Sequence, residues 1–237
     1  MQWLRVRYAK RGRLRFTSHR DFSRAFERAL VRARLPLAYS SGFHPHPRIS
    51  YAGAAPTGAA SEAEYLEVGL CARVDPGQVR TDLDDALPDG LDIVSVVTAE
   101  MRSGKALGDL LEASAWRITL PGIRAARADE AVRAFLDQPA VTVERMTKKG
   151  LRSFDARAAV VSLRARGCPS SDQECAILEA VLRHGNPSVR PDDVLAGLRA
   201  TAGLEAAAPV FERLAQGPLD VRAGTVGDPL APNRDAV

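Results

Sequence analysis

The order of strand-like and helix-like patterns in the first hundred residues constrains the fold of this chain more than any other feature. Apolar and basic residues alternate over residues 3–16, interrupted by a turn, as in a half-buried strand. Apolar residues then recur at three- and four-residue steps over residues 22–33, as in an amphipathic helix. A broken strand at residues 37–51 follows, and strand patterns at residues 64–70 and 91–97 flank a second helix. The predicted order is β-α-β-β-α-β.

A weaker second cycle of the same patterns begins at residue 116, and it includes a strand pattern over residues 154–163. The sequence therefore predicts an α+β protein of two tandem ferredoxin-like (β-α-β-β-α-β) domains with antiparallel sheets. One continuous larger sheet is the alternative architecture. The predicted boundaries are a first domain at 1–100, a helical linker at 101–114, a second domain at 115–216 and a loose tail at 217–237.

Charge is distributed unevenly along the chain. Residues 1–48 hold twelve Arg and Lys against two Asp and Glu, whereas the whole chain carries a net charge of only +4. Residues 49–115 reverse the balance, with four cationic and twelve acidic residues. A strongly basic N-terminal segment indicates an anionic partner, and nucleic acid is the first candidate.

The first predicted helix carries a basic stripe. Arg20, Arg24 and Arg28 are spaced four residues apart, so they share one face, and Ser18 is placed to cap the helix start. Together with Arg48 they are predicted to contact RNA phosphates. The carboxylates of the segment 61–67 are candidate partners for the same arginines.

Three of the four histidines lie close together in sequence, at His19, His44 and His46. Pro45 and Pro47 stiffen the segment that holds the last two. With Asp21, these histidines are candidates for a metal site or for acid–base cleavage of RNA. Contact with phosphates or bases and a purely structural role are the other interpretations.

Further candidates for nucleic-acid contact flank these segments. Tyr39 and Phe43 are predicted to stack on unpaired bases, although packing in the core is the alternative. Lys148, Lys149 and Arg152 surround a predicted turn, and such basic hairpin tips contact backbone phosphates.

The cysteines and the apolar runs limit the remaining classes of protein. The chain has three cysteines, Cys71, Cys168 and Cys175, and no CxxC motif. We therefore expect neither a disulfide framework nor a zinc ribbon. Cys71 is expected to be buried. The apolar runs are short and broken by charge, and no signal-peptide pattern opens the chain. We therefore expect a cytoplasmic protein with no membrane partner.

Long motifs in this sequence resemble those of the radical SAM-linked protein family. They are His-x-Asp at residues 19–21, Arg-Ala-Leu-x-Arg-Ala-x-Leu-Pro-x-Ala-Tyr-Ser-x-Gly-Phe-His-Pro-His-Pro at 28–47, Ser-Glu-x-Glu-Tyr-Leu-Glu at 61–67 and Lys-Gly-x-Arg-x-Phe-Asp at 149–155. Members are encoded beside, or fused to, a B12-binding radical SAM protein. The resemblance implies such a partner without implying an activity. This chain has no CxxxCxxC cluster motif, so we expect an unfused accessory protein rather than an enzyme, with no cofactor of its own.

A fainter similarity joins the first half of the chain to the CRISPR repeat-processing endoribonucleases, which are tandem ferredoxin-like proteins that bind RNA. Their C-terminal glycine-rich loop has no counterpart here. The prediction is an RNA-binding protein that presents tRNA or rRNA to a radical SAM enzyme. The alternatives are a metal-independent endoribonuclease and a protein–protein adaptor that uses the acidic segment 61–67 and does not contact RNA.

Overall fold

The computed structural model describes residues 1–99, 106–147, 150–169 and 174–231. The chain divides into two units, which we call unit 1 (Met1–Leu111 with Asp228–Val237) and unit 2 (Glu112–Gly227). The helices are α1 (His19–Arg32), α2 (Pro76–Ala86), α3 (Ala125–Leu136) and α4 (Pro191–Ala202). The strands are β1 (Gln2–Lys10), β2 (Ile49–Ala52), β3 (Ala60–Leu70), β4 (Leu91–Thr98), β5 (Ala113–Pro121), β6 (Thr142–Thr147), β7 (Gly150–Asp155), β8 (Val160–Gly167), β9 (Cys175–Arg183), β10 (Val210–Gly217), β11 (Leu219–Asp220) and β12 (Thr225–Val226).

Unit 1 contributes four strands to the main sheet, and two helices pack on one face of them. Its strands have the order β4-β1-β3-β2, and the pairings between them are antiparallel. The apolar side chains of β1 and β3 alternate between the two faces, and one set packs against α1 and α2. Phe22, Phe26 and Leu30 of α1 are buried in this core.

The start of α1 follows from its local sequence. Ser18 is the N-cap, and its hydroxyl oxygen accepts a hydrogen bond from the backbone N–H of Asp21 at 3.2 Å. The same hydroxyl donates to Oδ2 of Asp21 at 2.7 Å. The predicted cap is confirmed, and it fixes the first turn of α1, which holds Arg20; Arg24 and Arg28 lie on the following turns.

Unit 2 contributes four strands to the main sheet, which pair antiparallel in the order β10-β5-β9-β8, and it also contains α3 and α4. Strands β6 and β7 form a separate two-stranded hairpin inserted between α3 and β8. Gly197 of α4 lies against the buried ring of Phe135, where an added Cβ would come within 2.6 Å of the ring. A side chain at this position would therefore separate α4 from α3.

The α+β class is confirmed, and the main sheet is mostly antiparallel but contains one parallel pair, which the sequence did not predict. The assignment of both units to a ferredoxin-like fold stays a prediction. Residues 12–16 are a short 3-10 helix rather than strand, because Arg11 and Gly12 turn the chain there. The strand predicted over residues 154–163 is two strands, separated by a short 3-10 helix at Arg157–Ala159.

The predicted linker and tail contain more regular structure than their composition indicates. Residues 101–105 of the linker lie outside the described residues, and the rest holds a short 3-10 helix at Leu107–Leu110 and the start of β5. In the tail, β11 and β12 pair, and Leu230 is fully buried beside Tyr65 and Leu107.

Two of the cysteine predictions are wrong, namely the absence of a disulfide and the burial of Cys71. Cys168 and Cys175 form a disulfide, because β8 and β9 pair antiparallel and Gly167 lies opposite Ala176. That register brings the two cysteines face to face despite their separation of seven residues. Cys71 is exposed rather than buried, since it lies just beyond the end of β3.

No helix in the described ranges has both the length and the apolar character needed to cross a membrane.

Candidate nucleic-acid interface

Two sets of arginines in unit 1 differ in their partners, and the first set is neutralised by carboxylates along β1 and just beyond its end. Nε of Arg5 donates to Oε1 of Glu67 at 2.8 Å in a buried ion pair. Arg11 binds Glu62 through two nitrogens and Asp92 through one, at 2.5 to 2.7 Å. The hydrogen bonds from Arg11 hold the pKa of Glu62 below its ordinary value. The acidic segment 61–67 is therefore engaged by arginines of β1 and its end, not by those of α1.

The second set consists of Arg20, Arg24 and Arg28, which we call the arginine row. All three lie on the exposed face of α1, opposite its buried apolar side chains. None forms an ion pair with a carboxylate in the described part of the chain. A helix rises ~1.5 Å per residue, so successive members stand about 6 Å apart along the axis. The row is thus a linear array of guanidinium groups available to an anion.

A shallow depression lies beside the row and reveals residues that the sequence analysis did not single out. It encloses about 640 Å³ and is lined by Arg24, Glu27, Arg28, Val31 and Arg32. The side chain of Val31 is 66 % exposed. The four-residue spacing of the row continues to Arg32, so the spacing itself could have identified this fourth arginine. Its guanidinium donates to the carbonyl oxygen of Ala86 at the end of α2.

His19 occupies the first position of α1, where it is exposed. Its Nδ1 lies 3.3 Å from the hydroxyl of Ser23, and its ring packs edge-to-face on Tyr51 with centroids 5.0 Å apart. The phenol oxygen of Tyr51 is buried and has no hydrogen-bond partner among the described residues. Burial raises the pKa of Tyr51 to about 12. The phenol therefore stays protonated at neutral pH beneath the imidazole.

Residues 39–47, here called the His-Pro loop, form a tight reversal of the chain. Tyr39 and Pro47 pair across its base, and the backbone N–H of Ser40 donates to the carbonyl of His46 at 2.9 Å. The N–H of His46 returns a bond to the Ser40 hydroxyl at 3.0 Å. At its tip, Phe43 is fully exposed. The predicted break within the strand at residues 37–51 is confirmed, and regular strand resumes only at Ile49.

The structure does not assemble the predicted metal candidates into a site. Within the described ranges, no group of three or more His, Cys, Asp or Glu side chains is arranged to hold a metal ion. The carboxylate of Asp21 is hydrogen-bonded to the N-cap hydroxyl. His44 and His46 are exposed on the His-Pro loop. These side chains are therefore available for contacts with a ligand, but not as a preformed metal cluster.

The second predicted basic site is only partly described, because Lys148 and Lys149 lie outside the described residues. Arg152 is exposed on β7, directly opposite Arg145 on β6. Arg145 is neutralised by Asp193 at 2.5 Å, and burial raises the pKa of that carboxyl despite the neighbouring charge. Arg152 has no ion pair with a described carboxylate.

Comparison with known proteins places these features in a family. Residues 3–191 match the family described as "Uncharacterized protein conserved in bacteria (DUF2344)". The chain belongs to this family. The DUF2344 match covers the arginine row, the His-Pro loop and Arg152, and it ends at the first residue of α4. The DUF2344 description specifies no ligand or reaction, so the radical SAM linkage and the similarity to CRISPR endoribonucleases stay predictions. A search of curated proteins found no match.

Proposed function

We propose that this protein binds RNA through the arginine row and presents it to a partner enzyme of the radical SAM class. One observation carries the proposal. Arg5 and Arg11 are neutralised by carboxylates, whereas Arg20, Arg24 and Arg28 are exposed and have no such partner in the described residues.

This difference favours an anionic ligand over a role in stability. A phosphate that binds an unpaired guanidinium does not first have to displace a carboxylate, and the planar guanidinium can bond two phosphate oxygens at once. Arg48 is also exposed, and its Nε donates to the Tyr39 carbonyl at 3.3 Å, which orients the rest of the group outward. Arg152 of unit 2 is a further phosphate contact in this proposal.

The two parts of the proposal, RNA as the ligand and a radical SAM enzyme as the partner, rest on different observations. RNA is the polyanion that best suits a basic helix accompanied by exposed aromatic side chains. The radical SAM partner rests on the motif resemblance at residues 28–47 and 61–67. Since this chain carries no cluster motif, its part in the proposal is to hold tRNA or rRNA while the partner performs the chemistry.

The adaptor alternative loses its main support. Glu64 and Glu67 are buried, and Glu62 is bound by Arg11. The acidic segment on which that alternative depends is thus occupied within unit 1.

The test compares RNA binding by two charge-reversal variants, each of which replaces three arginines by glutamate. The first is Arg20→Glu/Arg24→Glu/Arg28→Glu. The matched control is Arg73→Glu/Arg183→Glu/Arg222→Glu, which reverses three exposed arginines that likewise have no ion pair with described carboxylates. Binding of labelled tRNA would be measured by fluorescence anisotropy between ~50 and ~200 mM salt.

The proposal expects steeply salt-dependent binding that only the first variant loses. Removing three phosphate contacts should reduce the slope of log affinity against log salt by about two to three. Equal weakening by both variants would mean that net charge alone attracts RNA. Absence of binding by the unmodified protein would remove RNA from the proposal.

A further inference from the structure

The His-Pro loop presents an aromatic side chain that unit 1 does not use for its own packing. Phe43 is 103 % exposed, and Tyr39 at the base of the loop is 50 % exposed. Covering a fully exposed phenyl ring with a flat apolar surface is energetically favourable, because it removes the ring from water. The other residues at the tip, Ser41, Gly42 and His44, are small or polar. The exposed apolar surface is therefore one ring and not a broad patch.

The loop holds this ring on a braced backbone. Pro45 and Pro47 each fix φ, and Ser40 and His46 exchange two hydrogen bonds across the loop. Below the base, the N–H of Gly69 in β3 donates to the Arg48 carbonyl at 2.8 Å. Because the loop is ordered before any ligand arrives, little conformational entropy remains to be lost on binding.

The charged and polar side chains around the loop indicate which class of ligand it can bind. Arg48 lies beside the base of the loop, and Arg34 precedes it; both are exposed and have no ion pair with a described carboxylate. The two imidazoles of the loop add hydrogen-bond donors and acceptors. A flat ring among cations and imidazoles suits a base that carries a phosphate. A lipid surface would require a larger contiguous apolar area.

We infer that the His-Pro loop binds an unpaired nucleobase, which stacks on Phe43 while Arg48 contacts the adjoining phosphate. This inference rests on the proposed function and deepens it, because it names the substrate class as RNA with an accessible single-stranded segment. A base within a continuous duplex is already stacked on both faces and cannot cover the ring.

The test uses two RNAs of equal length and sequence, one single-stranded and one as a blunt duplex with its complement. Phe43→Ala removes the ring, and Phe43→Trp keeps an aromatic surface and adds a fluorescent reporter. The matched control is Val221→Ala, which truncates a 66 % exposed apolar side chain in unit 2. Thermal unfolding of each variant verifies that the fold is intact.

The expected result is a loss confined to the single strand. Stacking of one base contributes ~1–3 kcal/mol, so Phe43→Ala should weaken single-strand binding by roughly 5- to 150-fold and leave duplex binding unchanged. Phe43→Trp should retain affinity, and its fluorescence should be quenched by the single strand only. Val221→Ala should bind both RNAs like the unmodified protein.

Three outcomes overturn the inference. Unchanged single-strand binding by Phe43→Ala, while the triple variant of the arginine row loses it, would leave RNA binding intact and exclude stacking at Phe43. Equal losses on single strand and duplex would exclude selection of unpaired bases. Phe43-dependent sedimentation with anionic lipid vesicles, without Phe43-dependent RNA binding, would assign the ring to a membrane surface.

Discussion

Arg5 and Glu67 form an ion pair across β1 and β3 with an Nε–Oε1 distance of 2.8 Å, and both side chains are buried. Removing one partner leaves a charge in an environment that solvates it poorly. Glu67→Ala is therefore expected to lower the free energy of unfolding by about 3–5 kcal/mol. Urea denaturation measures the loss. The double variant Arg5→Met/Glu67→Leu should recover most of it, and failure to recover would show that the pair contributes more than mutual neutralisation.

Gly197 allows α4 to pack on α3. Replacing glycine by alanine inside a helix ordinarily stabilises the helix by up to ~1 kcal/mol. At this position, however, the added Cβ would come within 2.6 Å of the fully buried ring of Phe135. We expect the clash to dominate, so Gly197→Ala should destabilise the protein by roughly 1–3 kcal/mol. Gly108→Ala is the control, because nothing lies within 4 Å of its added Cβ. Equal unfolding midpoints for the two variants would contradict the packing argument.

The raised pKa of Tyr51 makes the free energy of unfolding depend on pH in the alkaline range. Its pKa is about 12 in the folded protein, above the value of ~10 for an unfolded chain. The folded state therefore holds the proton more tightly, and the resulting stabilisation is complete below about pH 10 and is lost as pH rises towards 12. Tyr51→Phe removes this contribution.

The measurement is urea unfolding of the unmodified protein and Tyr51→Phe at pH 7 and pH 11. Because the phenol oxygen has no described hydrogen-bond partner, the variant should be no less stable at pH 7. Between pH 7 and pH 11 it should lose less stability than the unmodified protein. A marked loss at pH 7 would reveal a hydrogen bond at the hydroxyl. Tyr39→Phe, at a half-exposed tyrosine, controls for the loss of a hydroxyl as such.

The endoribonuclease alternative makes a separate prediction about the histidines. The His19 ring packs on Tyr51, whereas the His46 side chain is exposed and only its backbone N–H bonds to Ser40, so neither imidazole is paired with a second catalytic group in the described part of the chain. We expect no metal-independent cleavage of end-labelled RNA by the unmodified protein, judged on denaturing gels with chelator present. Cleavage that is abolished in His19→Ala or His46→Ala, but kept in His44→Ala, would establish the nuclease instead.

Features set by local sequence could be predicted, and α1 shows why. Its cap lies three residues from the group it bonds, and its apolar face follows from helical spacing alone. Features that depend on strand register could not. Arg5 and Glu67 are 62 residues apart, and only the pairing of β1 with β3 brings them together. The disulfide has the same origin in the register of β8 and β9.

In the candidate interface, likewise, the position of the arginine row could be predicted from local sequence, but its lack of carboxylate partners could not. The exposed stripe of Arg20, Arg24 and Arg28 follows from four-residue spacing. Which arginines stay unpaired depends on where Glu62 and Glu67 lie in the folded sheet, and composition carries no such information.

The bond from Arg32 to the carbonyl of Ala86 sets a limit on how much RNA α1 can grip. One nitrogen of the fourth arginine of the series is therefore held at the end of α2, whereas Arg20, Arg24 and Arg28 form no ion pair with a described carboxylate. These three span ~12 Å along the helix axis. In the proposed function, this length suffices for only a few phosphates, so the arginine row itself would contact a short stretch of RNA. Longer contacts would depend on Arg48 and Arg152, which lie outside α1.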